Sequence, residues 1–156
     1  MSERPDVTSN DIDLLPVFAF FNEIGIISQL ANASFDRMLP EDMTRAQFGV
    51  LNHFVRLGGE RTPQRLARAF QVTKGAMTGT LKHLEAKKLI AIRPDEKDGR
   101  SKLVSITDEG RAMREQCLAA LVPEMTKVAE AFPTADIAAM VSDLSAIRAW
   151  LDEQRN

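Results

Sequence analysis

Two short helices opened by threonine within a dozen residues of each other are the tightest constraint on this chain. Thr62 is a natural N-cap with Pro63 at the first helical position, where its missing N–H costs nothing, and Gly58-Gly59 closes the helix before it. The helix from Pro63 buries Leu66, Ala67 and Phe70; a four-residue turn follows, and Thr73 caps a second helix over Lys74–Lys87. Helices this short are marginal alone and hold only by packing on each other. Met77, Leu81 and Leu84 recur at i, i+4, i+7 and face that packing, so Lys74, Gly75, Thr78 and Lys82 point outward. Ile90-Ala91-Ile92 and Val104-Ser105-Ile106 then alternate with period two, as a hairpin with one buried face requires. Pro94–Lys102 between them is a polar loop, with Gly99 expected to permit a tight bend. Helix, turn, helix and charged ribbon in that order form a winged helix-turn-helix, whose second helix fits the major groove of DNA.

The flanks are helical. Asp11–Met38 carries apolar residues on too many faces for a surface helix, among them Leu14, Phe18, Phe21, Ile24, Ile27 and Leu30. A second copy of the chain is expected to supply part of the cover. Thr44 and Gln47 form a T-x-x-Q capping box, and the helix behind it turns Phe48, Leu51, Phe54 and Val55 inward. Thr107, with Asp108 and Glu109 at the positive end, opens a long helix expected to kink at Pro123 and to turn Met113, Cys117, Leu121, Met125 and Val128 inward. Past Pro133, a last helix keeps Ile137, Met140, Val141, Leu144, Ile147 and Leu151 in register. Met1–Asn10 is polar and expected to fray. The fold class is mainly α with a small β-hairpin wing. Residues 1–156 make one domain, with the winged lobe over 44–106 and dimerisation helices over 11–38 and 107–151.

Charge is unevenly placed. Arg61–Lys102 holds eleven Lys/Arg against four Asp/Glu, a balance of +7, whereas the remainder holds nine against eighteen. The total of −2 therefore hides a basic module in an acidic body, the footprint of a nucleic-acid binder. Lys74 and Lys82 can reach phosphates or guanine edges, and Thr78 can bond a base edge or touch a thymine methyl. Gly75 and Gly79 each cost about 1 kcal/mol relative to Ala inside a helix, which is explained if a bare backbone must approach the groove. No arginine occurs in that helix, so bidentate guanine contact is unavailable there and shape readout gains weight. Arg100, at the end of a slender hairpin, can insert into a narrow minor groove, with Asp98 expected to hold its guanidinium. Thr62, Arg65, Thr73 and Lys102 complete the expected DNA-binding set.

From about Thr44 to Arg114 the chain resembles the MarR family of bacterial winged-helix transcription regulators. The resemblance is carried by Leu66-Ala67 and Phe70, by the cap and helix over Val72–Ile90, by Asp98-Gly99-Arg100-Ser101, and by V-S-I-T-D-E-G-R at Val104–Arg111. It implies a homodimer whose terminal helices interlock and a near-palindromic double-stranded operator with one recognition helix per half-site. It also implies that Arg100 is the wing arginine with Asp98 its partner, and a repressor role. The effector it implies is a small molecule, often phenolic or aromatic; the phenylalanines and methionines near the dimer helices fit an apolar or aromatic one.

Other classes find little support. No glycine-rich phosphate loop, nucleophile elbow or zinc protease motif occurs, so no catalytic residue is assigned. His53 and His83 are isolated, leaving no metal-ligand spacing, and no cofactor is implied. Cys117 lies on an apolar stripe, as an inert packed thiol does. The apolar run Leu14–Ile27 is broken by Asn22 and Glu23 and falls short of the ~20 residues of a membrane span. A soluble cytoplasmic protein is the simplest expectation. A winged-helix module for protein–protein contact, without its own operator, is the alternative.

Overall fold

The computed structural model describes residues 13–154; the N-terminal residues expected to fray, and Asp11 at the expected start of the first helix, lie outside them. Eight elements follow in order: α1 (Leu15–Met38), α2 (Arg45–Leu57), α3 (Pro63–Phe70), α4 (Lys74–Ala86), β1 (Ile90–Pro94), β2 (Lys102–Ile106), α5 (Asp108–Ala131) and α6 (Thr134–Glu153). Leu51 and Phe54 of α2, Leu66 of α3, Leu84 of α4, Val104 of β2 and Cys117 of α5 are all sealed from solvent, so five elements share one core. Phe70 is only half-buried, its ring lying 5.5 Å from that of His53.

Threonine sets where the helices begin. The Thr44 hydroxyl accepts from Gln47 N at 3.2 Å while the Gln47 side chain accepts from Thr44 N, completing the capping box. Thr62, Thr73 and Thr107 accept from Arg65 N, Ala76 N and Gly110 N at 3.2, 3.1 and 3.0 Å. Each such cap contributes about 1 kcal/mol. The turn geometry inside the basic lobe is thus written locally, by residues that satisfy otherwise orphaned backbone donors.

Helix endings are less conventional. At the end of α4, Lys88 N donates to Glu85 O (2.8 Å) and Leu89 N to Leu84 O (3.0 Å), the paired bonds of a Schellman motif, with Leu84 and Leu89 both buried. The left-handed position of that motif is held by Lys88 at φ 60° rather than by glycine. Its side chain makes no hydrogen bond or ion pair among the described residues. Lys88→Gly should therefore stabilise the fold by about 0.5 kcal/mol, relief of the left-handed penalty outweighing glycine's larger unfolded-state entropy. A rise in the urea midpoint at unchanged m-value is the expected reading.

β1 and β2 pair antiparallel with Ile90 opposite Ile106 and Ile92 opposite Val104, extending the expected strands to Pro94 and Lys102. Arg61 adds a bridge on the far side of Val104, with backbone bonds of 3.1 and 2.9 Å in the two directions. This single-residue bridge fastens the hairpin to the segment that opens α3. The wing turn does not use Gly99 as expected: its φ is not positive and a Cβ there would meet open space. Asp98 makes the turn instead, its carbonyl accepting from Ser101 N (2.8 Å) and its carboxylate from Arg100 N (3.1 Å).

α5 departs from the inward stripe expected of it, and the apolar residues of α6 and α1 are largely exposed as well. Along α5, Cys117 and Leu121 are buried, but Met125 and Val128 are exposed; along α6, Met140, Val141, Leu144 and Leu151 are exposed and only Ile137 and Ile147 are half-buried. No residue of α1 is buried, and Phe18 and Leu30 are 72% and 68% exposed. The physical reason is that periodicity marks an apolar face, not the surface that covers it, and within one chain these faces extend past the core. α5 itself runs through Pro123 without interruption.

Candidate nucleic-acid interface

Burial of Met77, Leu81 and Leu84 fixes the rotation of α4 and leaves Lys74, Thr78 and Lys82 on the exposed side. That side forms one wall of a groove of about 490 Å³ whose other walls are the start of α3 and the wing. Thr62, Lys74, Thr78, Lys82, Arg100 and Lys102 all line it, and Glu85 is the one carboxylate among its lining residues. The four cations make no ion pair among the described residues. An unneutralised basic groove between a helix and a hairpin can take up phosphate oxygens on both sides of a duplex strand.

Individual side chains refine this. The Thr78 hydroxyl donates to Lys74 O at 2.8 Å, so its proton is committed and it offers outward a methyl group and a lone pair. Gly75 and Gly79 are exposed; a Cβ at Gly79 would meet nothing within 4 Å, and one at Gly75 only Thr73 Oγ1 at 4.0 Å. Packing within the chain therefore explains neither glycine. Arg65, Thr73 and Asp98 are exposed but do not line the groove. The Asp98 carboxylate forms no ion pair with the Arg100 guanidinium, correcting the expected arrangement; it holds the Arg100 backbone N–H and so shapes the turn that carries the arginine. His83, on the same helix, is exposed.

Sequence reading missed the side-chain contacts that join elements within the lobe and onto α5, because their partners are far apart along the chain. Glu60 and Arg93 meet as a fork, Nε to Oε1 at 3.0 Å and Nη2 to Oε2 at 2.6 Å, and the hydrogen bond from Arg93 holds the Glu60 carboxyl below its usual range. Lys87 reaches back from the end of α4 to the Asp42 carbonyl and to Gln47 Oε1 (3.3 Å). Arg114 of α5 donates twice to Asn52 Oδ1 of α2, at 3.1 and 3.0 Å. Burial, then neighbouring Arg56 and Arg61, lower the His53 pKa.

Other chemistries have no assembled centre. Among the described residues no group of three or more His, Cys, Asp or Glu could hold a metal ion. Cys117 is fully buried, and desolvation raises its thiol pKa, the opposite of what a reactive cysteine needs. No helix among the described residues is long and apolar enough to cross a membrane.

Comparison with known proteins agrees with this geometry. A family model described as "MarR family" matches residues 41–101. The multiple antibiotic resistance protein MarR of Salmonella typhimurium is 38% identical over 105 residues, covering 62% of this chain and 72% of that protein. Its Escherichia coli counterpart is 37% identical over the same shares. Among solved structures, the transcriptional regulator BldR from Sulfolobus solfataricus superposes with a TM-score of 0.77 at 22% identity, covering 88% of this chain and 98% of that one, a likeness of fold. A mutant MarR from Escherichia coli complexed with operator DNA superposes at 0.68 with 25% identity, over 88% and 99% of the two chains. The extent of the match to the Salmonella and Escherichia proteins, together with the groove formed by α4 and the wing, shows that this chain belongs to the MarR family of transcriptional regulators.

Proposed function

We propose that the protein is a homodimeric repressor that lays α4 in the major groove and the 94–102 wing in the minor groove of a near-palindromic operator, and is released by a small apolar or aromatic effector. The observation carrying the DNA-binding part is one groove in which Lys74, Lys82, Arg100 and Lys102 converge around Thr78 with no ion-pair partner among the described residues. This chain's similarity to Escherichia coli MarR, whose mutant form has been seen with operator DNA, supports it. Residues 44–106 act as the DNA-binding lobe, with Arg65 and Thr73 at its margin, Gly75 and Gly79 giving close backbone approach, and Asp98 shaping the wing. The dimer is supported by apolar faces on α1 and α6 that are exposed among the described residues, which a second copy would cover. The effector is supported by a cavity of about 690 Å³ between α1, α5 and α6, lined by Phe35, Met38, Met125 and Phe132 with little polar surface.

Selection from a random duplex library tests the reading. Enrichment of inverted repeats, a dimer mass by light scattering, and affinity falling steeply and linearly in log–log with salt are the expected results. Failure to enrich any duplex would overturn it in favour of a protein-docking module.

A further inference from the structure

The segment between α2 and α3 grips both strands of the wing. Glu60 forks onto Arg93 of β1 through two bonds of 3.0 and 2.6 Å, and the adjacent Arg61 exchanges both backbone bonds with Val104 of β2. Arg93 also donates to Pro94 O at 3.3 Å, at the point where the hairpin leaves for its tip. The next residue, Thr62, caps α3 and lines the basic groove. Three consecutive residues thus tie the hairpin's base to the helix-turn-helix. Glu60 is a carboxylate immediately before the basic Arg61–Lys102 stretch, where charge alone would disfavour it in a DNA binder. A bidentate fork adds what a lone charge lacks: a fixed angle between two elements.

From this we infer that Glu60 is a positioning residue for DNA binding. Through Arg93 it sets the inclination of the wing against α4, so that Arg100 and Lys102 reach the duplex together with Lys74 and Lys82. This rests on the DNA-binding reading above and assigns one residue's part in it. The fork is solvent-exposed, with side-chain exposures of 36% for Glu60 and 48% for Arg93, so it directs the wing without being needed for the fold.

The test turns on a sign. Glu60→Gln removes a negative charge near the duplex, and on charge alone it should bind DNA more tightly. Positioning demands the opposite. With a fluorescent duplex selected by the wild-type chain, Glu60→Gln should bind roughly three- to tenfold more weakly, with a log–log salt slope shallower by about 1 to 2 per wing as phosphate contacts of Arg100 and Lys102 are lost. Hydroxyl-radical footprints should lose protection under the wing while keeping it under α4, and Tm should move by less than ~3 °C. The exchanged pair Glu60→Arg with Arg93→Glu should recover most of the affinity, because the fork can re-form in reverse. Equal or tighter binding by Glu60→Gln at an unchanged slope overturns the inference. So does an affinity loss that comes with a large fall in Tm and an even loss of footprint. If the wild-type chain itself selects no duplex, the DNA-binding reading fails first, and that outcome is separate from these.

Discussion

Gly110→Ala is expected to destabilise the protein by about 3 kcal/mol, the scale of forced overpacking in a core that cannot move aside. A Cβ at Gly110 would lie 2.0 Å from the Leu89 carbonyl oxygen and 2.8 Å from Ile106 Cγ1. The carbonyl belongs to backbone on which Thr107 N also bonds at 3.2 Å, next to the Thr107 hydroxyl's bond to Lys88 O at 2.7 Å. Retreat there would break the junction joining α4, the hairpin and α5. Gly79→Ala is the natural comparison, since a Cβ there meets open space. It should stabilise by up to about 1 kcal/mol from helix propensity alone. Opposite shifts of the urea midpoint for the same substitution on two helices are the expected result; a neutral Gly110→Ala would mean that α5 can ride away from Leu89.

This pair of glycines also shows how far the sequence was legible. Both sit in helices, and nothing adjacent to either tells them apart. The difference lies in a backbone segment about twenty residues away, which only the fold brings near. Signals that act within a few residues were readable: threonine caps, the capping box, the stop at Gly58-Gly59 and the alternation of β1 and β2. Each satisfies a backbone donor or a pleat locally. The left-handed ends at Gln71 and Lys88 were hidden because neither residue type announces positive φ. The Asp98 carboxylate had two possible partners, the Arg100 guanidinium or its N–H, and turn geometry chose the backbone. Glu60–Arg93 and Arg114–Asn52 join residues thirty to sixty positions apart, beyond any periodicity argument. For the groove, the cationic residue types and their helical face were legible, while the walls that make it a groove were not.

The largest functional effect should follow from emptying that groove of charge. A triple variant, Lys74→Ala with Lys82→Ala and Arg100→Ala, removes three side chains that line it and have no ion-pair partner among the described residues. In the proposed dimer this deletes six phosphate-facing charges. Counterion release then predicts a log–log salt slope shallower by about 5 and, at near-physiological salt, an affinity lower by roughly 10³-fold or more. Stability should stay within about 0.5 kcal/mol of wild type, since these are exposed positions outside the core. The combination separates two causes of weak binding: a damaged fold would lower the urea midpoint, whereas a discharged groove leaves it in place and flattens the salt dependence. Single replacements should each flatten the slope by about 2 per dimer, and Arg100→Ala should act most on duplexes with A·T-rich minor grooves under the wing, where narrow grooves concentrate negative potential. Should the triple variant bind within a fewfold of wild type at an unchanged slope, the duplex lies on another face, and the convergence of Lys74, Lys82 and Arg100 has nothing to do with DNA.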